Sequence, residues 1–509
     1  MRQWMVAAKK ADFYAIAEKF HVDPVVARII RNREVIGEKN IRIYLGGNLS
    51  DLSDPHQMKD MDRLVEILAQ KIRKQVHIRI IGDYDVDGVT SSHLFLTALR
   101  RVGAKVDVVI PHRIQDGYGL SLHLLQQAKE DGVDTILTCD NGIAAIDEIA
   151  WAKAQKMTVL VTDHHAVPFE EHEGRRTEKK SLADAVVNPH QQDCGYPYKE
   201  LCGAGVAWNV IRVLYENYDM DKREAEDLLD FVAMATVCDV MSLTGENRIL
   251  VKEGLKRIRH TKNIGLQALM QACNVQPENI SAYHFGYVLG PCVNATGRLD
   301  TARHALRLFE TGQETEAEEI ARDLVDLNQE RKELTLQGVE MAKKLCEEGG
   351  YEKDPVLVLF LPDVHESIAG LIAGRIREMY NRPVFVLTRG EEGVKGSGRS
   401  TENYSMYENM CGCAELFTKF GGHPMAAGLS LPEENVEKFR RKINENCPLT
   451  VEEVCPDIHI DMAMPVGYAS TELVHQFALL EPFGKDNPSP LFADRNLSIS
   501  RMWLIGKNR

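Results

Sequence analysis

No uninterrupted apolar run in this chain approaches the length of a membrane span, which argues against a helical membrane protein. The N-terminal stretch MRQWMVAAKKADFYAIAEKF is broken by Lys9, Lys10, Asp12 and Glu18, so it lacks the apolar core of a secretory signal. Paired cysteines are missing too. The 11 cysteines form no CxxC spacing, which points to a reduced cytoplasmic protein rather than a disulfide framework. Nor is there an excess of positive charge: 61 Lys and Arg against 75 Asp and Glu leave a net charge of −14. That argues against a broad basic surface for nucleic acid, yet it leaves room for a local basic groove beside a carboxylate-rich cation site. Basic clusters at Lys71 to Lys74, Lys256 to Lys262, Arg375 to Arg382 and Phe439 to Lys442 read individually as solvated helix faces.

What is present is an ordinary globular composition, 44% hydrophobic and 27% charged over 509 residues, long enough for two or three separate cores. From about residue 76 short apolar runs alternate with segments of helical period, the pattern of a parallel sheet with crossover helices. The runs are HIRII (77–81), VDVVI (106–110), TILT (135–138), TVLVT (158–162) and ADAVV (183–187). Residues 200–260 read as helices, and a long polar stretch from Thr301 to Glu348 reads as an extended connecting helix. A second, smaller α/β pattern follows: VLVLFL, ESIAGLIAGRIREMY, VFVLT, GVKGSGRS and FGGHPMAAGLSL. The last residues hold LLEPFGKDNPSPLF and a strand-like LSISRMWLIG that stops at Arg509 without a closing element. This suggests a β-rich unit that is incomplete.

Three of the first five runs lead straight into acidic or histidine residues: Asp83, Asp85 and Asp87; Asp140; and Asp163, His164 and His165. Ligands of open α/β sheets lie beyond the carboxyl ends of the strands, so these side chains are expected to converge, with Asp239 joining from the end of a helix. An EF-hand reading of Asp83 to Gly88 fails because Leu94 occupies the twelfth position and the motif follows a strand. An aspartyl-phosphate nucleophile at Asp85, with Asp87 as acid and base, fits the local spacing but gives the downstream histidines no role. An exposed acidic turn would explain the cluster only if it stood alone. Mixed carboxylate and imidazole donors suit Mn²⁺ or Mg²⁺ beside phosphate oxygens. Two such ions would activate a water and clamp both oxygens of an in-line displacement.

Eight ordered segments sharpen this: DYDVDGVTS (83–91), TCDNG (138–142), TDHH (162–165), CGAGVAW (202–208), TVCDVMSL (236–243), VNATGR (293–298), GSGRS (396–400) and FGGHPMAAG (420–428). Together they resemble the DHH phosphoesterase superfamily, and PFGKDNPSPLF resembles the start of that family's oligonucleotide-binding (OB) fold. The resemblance implies an N-terminal segment (1–75), a parallel-sheet DHH catalytic domain (76–265) and a helical connector with a NATGR loop (266–348). A smaller α/β DHHA1-like substrate-binding domain (349–448) and the start of an OB-like domain (449–509) follow. It implies that Asp85 and Asp87 each hold one of two ions, that Asp140 bridges them, and that His164 and Asp239 complete the coordination, with Asp83 close by. Asp163 would orient a histidine and His165 would meet the scissile phosphate, so Asp140, Asp163 and His165 form the catalytic set. Asn294, Arg298, Arg399 and His423 would contact the substrate. Two departures stand out: Cys238-Asp239-Val240-Met241-Ser242-Leu243 replaces the family's Pro-Leu ending, and Val364-His365-Glu366-Ser367 lacks an aromatic that the family often carries.

The implied activity is a metal-dependent, single-stranded-DNA-specific 5′→3′ exonuclease that releases 5′-mononucleotides in DNA repair and recombination. The implied protein is a cytoplasmic monomer with no membrane partner, for which a helicase or a single-strand-binding protein is a candidate partner. Two alternatives are a phosphodiesterase for short oligoribonucleotides or cyclic dinucleotides, and a non-catalytic replication scaffold. The superfamily's smaller members lack the long connector and the C-terminal extension, and the full acidic set counts against a scaffold.

Overall fold

Five Ile-, Val- and Leu-rich runs pair in parallel, the inner ones buried on both faces and the edge strand Val106–Val109 half-buried. They are β1 (Ile78–Ile81), β2 (Val106–Val109), β3 (Thr135–Cys139), β4 (Thr158–Thr162) and β5 (Ala185–Val187), and they stand in the order β2-β1-β3-β4-β5. The computed structural model describes residues 4–503 except 114, 115, 118, 173, 174, 391, 392, 451 and 454–457. Successive side chains point to opposite faces of the sheet. Leu137 and Leu160 therefore face a core shared with helix α1 (Val86–Arg101) and helix α2 (Gly203–Asn217). Ile136, Val159 and Val161 face the crossover helices Leu122–Glu130 and Ile146–Ala154. The strand order reverses direction between β1 and β3, and a crevice opens at such a switch point.

Helix α3 (Leu229–Cys238) packs on the α1 side of this core, as does α4 (Gly290–Leu299). The NATGR segment, expected as a loop, lies inside α4. Pro291 follows a π-helical turn (Phe285–Leu289) in a helical run continuous from Ala282, so the N–H it lacks is missing from a helix interior at that bulge. Gly297 is present for closeness rather than for a turn: a Cβ there would meet the Tyr84 carbonyl oxygen at 2.3 Å. The expected connecting helix is two helices, Arg303–Glu310 and α5 (Glu314–Glu348), separated at Thr311 to Gln313. At 35 residues, α5 is about 50 Å long. Its first half buries Ala317, Ile320 and Leu324 in the first core, and its second half buries Val339, Ala342 and Cys346 in another.

That second core covers one face of a mixed sheet of β6 (Leu357–Phe360), β7 (Val384–Gly390), β8 (Gly393–Arg399), β9 (Lys419–His423) and β10 (Ala426–Leu431), in the order β9-β10-β8-β7-β6. Helix α6 (Glu366–Tyr380) lies on the α5 side, and Phe385, Leu387 and Phe439 fill the opposite face.

Residues from the two ends of the chain share one further core, in which Val26 and Ile30 pack with Leu473 and Leu480. Strand Trp4–Val6 pairs in parallel with Ile458–Ile460. Arg33 grips buried Asp461 with both guanidinium nitrogens, at 2.6 and 3.0 Å. The expected strand in LSISRMWLIG is absent over residues 497–503, which are exposed and, among the described residues, pair with no strand; residues 504–506 lie outside the described residues. Among the described residues no helix is long and apolar enough to cross a membrane.

Burial raises the Asp461 carboxyl, but the hydrogen bond from Arg33 outweighs it and leaves the group below its ordinary 3.8. The pair's contribution is then fully present above that value and lost as pH falls through the lower native one. Asp461→Ala leaves Arg33 buried without its partner and should destabilise the protein by about 3 kcal/mol. Urea melts at pH 7 check this, and the gap between variant and wild type should narrow below pH 4.

Candidate active site

The carboxyl ends of β1, β3 and β4 bring the expected side chains together at the switch point. After β1 the chain turns through buried Asp83 into Asp85, which caps α1 by accepting the Gly88 N–H at 3.1 Å. Asp87, in the first turn of α1 and 1% exposed, accepts the backbone N–H groups of Gly203 (2.6 Å) and Ala204 (2.7 Å). These are the first residues of α2, so a helix N-terminus holds this carboxylate. After β3, Asp140 adopts a left-handed backbone with φ of 61°, a conformation that Asp tolerates better than most residues. Gly203 presses against it, and a Cβ there would lie 2.6 Å from the Asp140 Cβ.

After β4, Asp163 is a hub of accepted hydrogen bonds. One oxygen takes the Ile143 N–H at 2.9 Å. The other takes the His164 N–H at 2.7 Å, the His165 N–H at 3.1 Å and the His165 ring Nδ1 at 2.8 Å. Asp163 thus orients the ring of His165 rather than that of His164. The His164 ring points into the cluster, with Nε2 at 3.1 Å from an Asp140 oxygen, 3.6 Å from Asp239 and 3.7 Å from Asp87. Asp239 arrives as the C-cap of α3.

Two sets of donors have mutual distances within 4.8 Å: Asp83, Asp85 and Asp140, and Asp87, His164 and Asp239. The short His164–Asp140 contact joins them, and a third set of Asp140, His164 and His165 overlaps both. Burial and then neighbouring carboxylates push Asp83, Asp140 and Asp239 well above the usual carboxylate range. Burial pushes the His164 imidazole down, which favours the neutral ligand form. Crowded acidic groups of this kind are relieved by cations. The donor set, all carboxylate and imidazole without thiolate, fits Mn²⁺ or Mg²⁺. So does the Asp83 Oδ1, which is buried without a hydrogen-bond partner among the described residues. Asp163 and His165 behave differently. Burial opposes charge on Asp163, but the His165 hydrogen bond keeps it low. Burial likewise opposes the His165 cation, but Asp163 raises that group to about 9.

Beside the cluster, against Tyr84, lies a cleft of about 600 Å³ lined by Arg113, Arg298, Lys395, Arg399 and Lys419. Arg113 stacks 3.9 Å from the Tyr84 ring centre and donates to the Gly297 carbonyl at 2.8 Å. Arg298 donates to the Ser367 carbonyl at 2.7 Å, which ties α4 to the start of α6. Burial, then Arg113, Arg331 and Arg399, pull Arg298 down to about 10. Positive charge is therefore concentrated here, with Lys395 answered by Glu366 at 2.8 Å. Of the other expected residues, Asn294 accepts the Val86 N–H at 3.2 Å and so braces the start of α1. Arg399 lines the cleft from the end of β8. His423 is exposed at the end of β9 and does not line it. His365 caps α6, with its Nδ1 accepting the Ser367 N–H at 3.3 Å.

The profile of the DHH family, N-terminal domain, matches residues 77–236. That of the DHHA1 domain matches 353–447, and that of the RecJ OB domain matches 460–509. The single-stranded-DNA-specific exonuclease RecJ of Haemophilus influenzae is 34% identical over 506 residues, covering 96% of this chain and 85% of the relative. The chain belongs to the RecJ family. RecJ of Bacillus subtilis is 33% identical over 499 residues, 97% of this chain, which spans 62% of that relative's length. The crystal structure of Thermus thermophilus RecJ in complex with Mn²⁺ matches with a TM-score of 0.81 at 28% identity, over 96% of this chain and 69% of that one.

Sequence reasoning missed Tyr84, Arg113, Lys395 and Lys419. Tyr84 lay in plain view inside the DYDVDG motif, whereas Arg113 follows β2 in a segment with no motif of its own. It is held at the site by the Tyr84 ring and the Gly297 carbonyl.

Titration with Mn²⁺ should raise the thermal midpoint by several degrees, because an ion at about 100 times its Kd stabilises by about 2.7 kcal/mol. Asp85→Ala and Asp239→Ala should each abolish most of that gain, while His423→Ala should leave it intact. Differential scanning calorimetry reads all three.

Proposed function

We propose that the chain is a two-ion phosphodiesterase that removes 5′-mononucleotides one at a time from the 5′ end of single-stranded DNA. The observation that carries this reading is the adjacency of the carboxylate–imidazole cluster to the arginine-lined cleft, with Tyr84 between them. Asp83, Asp85, Asp87, Asp140, His164 and Asp239 would hold Mn²⁺ or Mg²⁺, which when bound lower the pKa of a water and neutralise charge on the phosphodiester.

The remaining groups meet the substrate or position those that do. Arg113, Arg298 and Arg399 meet a terminal 5′-phosphate by charge-assisted hydrogen bonds. With that phosphate in the cleft, the next phosphodiester along the strand lies over the acidic cluster, so each turnover frees one nucleotide. His165, kept cationic by Asp163 and 41% exposed in its side chain, donates to a non-bridging oxygen of the scissile phosphate and stabilises its developing charge. Asp163 is a positioning residue that fixes this ring. Asn294 maintains the start of α1 and with it the spacing of Asp85 and Asp87.

Both the Haemophilus and Bacillus relatives are named single-stranded-DNA-specific exonucleases, which supports DNA over short oligoribonucleotides. The complete acidic set favours an enzyme over a scaffold. Every proposed donor comes from one chain, as a monomer requires. An enzyme that consumes only single strands also needs a helicase or a single-strand-binding protein to present them. A cytoplasmic setting accords with the unpaired cysteines.

With Mn²⁺, 5′-labelled single strands should be degraded while duplex and cyclic dinucleotide persist. Dinucleotide cleavage without degradation of long single strands would overturn the substrate assignment in favour of the oligoribonucleotide reading. Asp140→Ala should lose at least about 10²-fold in turnover with the fold retained, as read by circular dichroism beside the assay. Arg399→Ala should erase the advantage of a 5′-phosphate over a 5′-hydroxyl, worth about tenfold to a hundredfold in kcat/KM for a charged hydrogen bond. Equal loss on both ends would remove Arg399 from the proposed phosphate site.

A further inference from the structure

Helix α4, which carries Asn294 and Arg298, also carries a thiol for which the proposed chemistry has no use. Cys292 is 2% exposed, and its sulfur stands 3.8 Å from that of Cys273. Cys273 caps the C-terminus of the helix Ile264–Ala272 and is only half-buried, so one sulfur of the pair is partly open to solvent. Among the described residues no other two sulfurs are in hydrogen-bond contact: Cys139 meets Ser92, Cys202 meets Thr236 and Cys238 meets the Phe285 carbonyl.

Two small apolar side chains packed together would explain the closeness alone. The surroundings add a polar frame that packing does not need. Asn328, 4% exposed on α5, donates its amide to the Cys292 sulfur at 3.3 Å and accepts Arg331 with its oxygen at 3.1 and 2.9 Å. The hydrogen bond from Cys292 holds the Cys273 thiol below its ordinary 9.0; burial opposes this and the charge of Lys332 assists it. That same hydrogen bond, and then burial, push Cys292 the other way. The pair thus divides into a more exposed sulfur that favours the nucleophilic thiolate and a buried one that keeps its proton, the arrangement of an attacking and a resolving thiol.

We propose that Cys273 and Cys292 are a peroxide-sensitive pair whose reversible disulfide disturbs the active site through α4. The Cys273 thiolate attacks one oxygen of hydrogen peroxide, the O–O bond breaks, and the departing hydroxide takes a proton from solvent. The Cys292 sulfur then attacks the sulfenic sulfur; the S–O bond breaks, and hydroxide leaves with the Cys292 proton as water. Two thiols and one peroxide give one disulfide and two waters. Transient disulfides of this kind occur in reducing compartments, where structural ones are rare. The bond draws the sulfurs from 3.8 Å to about 2.05 Å, and α4 has little room to follow. Gly297 is already pressed against the Tyr84 carbonyl, and Asn294 accepts the Val86 N–H, so a shift of α4 reaches the start of α1 and with it Asp85 and Asp87. The inference rests on the phosphodiesterase reading for its activity readout alone.

The test joins a peptide map to an assay. The full chain is treated with hydrogen peroxide, freed of it, alkylated and digested without reductant; a Cys273–Cys292 linked peptide should appear, and dithiothreitol should separate it. Oxidised, unalkylated protein should degrade a 5′-phosphorylated single strand in Mn²⁺ about tenfold more slowly, as a displacement of under 1 Å at reacting groups would cause, and should recover on reduction. Cys273→Ser should keep its rate after peroxide. Cys411→Ser, which removes an exposed cysteine elsewhere, should be slowed like the wild type. Absence of the linked peptide would overturn the pair, as would a linked peptide at full activity or a loss that Cys273→Ser does not prevent. If the reduced protein hydrolyses nothing, the phosphodiesterase reading falls, and the oxidation of the pair then stands or falls on the linked peptide.

Discussion

Everything around the switch point is arranged by the problem of keeping five aspartates, Asp83, Asp85, Asp87, Asp140 and Asp239, within reach of one another in a largely buried crevice. Carboxylates at such distances repel strongly where water is scarce, and four of the five are driven towards their protonated forms. The fold offsets part of this with backbone dipoles. Asp87 rests on the first two N–H groups of α2, and Asp163 collects three N–H groups and a ring N–H just behind the cluster. The His165 cation approaches Asp140 to 3.9 Å, yet the carboxylates outnumber it, and this makes the site attractive to cations.

The same constraint explains why positive charge stands one step back. Had Arg113 or Arg298 entered the cluster, each would have neutralised a carboxylate and removed the reason for a cation to bind. Instead Arg113 is held on the Tyr84 ring and the Gly297 carbonyl, and Arg298 on the Ser367 carbonyl. Both guanidinium groups are thus anchored through neutral partners and keep their charge for an anion. The long helix α5 makes this possible across two cores, since one rigid element is buried in both.

Much of this was legible in the sequence, for a physical reason. Parallel strands buried on both faces leave continuous apolar runs, and a site at their carboxyl ends leaves its residues directly after those runs, so Asp83, Asp140 and His164 could be placed together without coordinates. What was not legible depends on tertiary contact. Gly297 looked like loop punctuation because a glycine needed for close approach to Tyr84 has the same letter as one needed for a turn. Arg113 carried no periodicity. The assignment of His423 from its motif gave it a role that its exposed position at the end of β9 does not support with any cleft contact.

Two residues with left-handed backbones belong to the cluster or adjoin it, Asp140 itself and Val240 next to Asp239. Each costs on the order of 1–2 kcal/mol for a side chain with a Cβ, and neither position could relax without moving a proposed donor. Asp140 follows the last paired residue of β3, Cys139, so its direction is set by the sheet. Val240 follows the α3 C-cap, so the direction of Asp239 is set by a helix end. Strain at both positions is therefore borne by the rigid elements behind them. It follows that the frame of the site is built by backbone geometry, while the arriving cation and phosphate need only settle the charge.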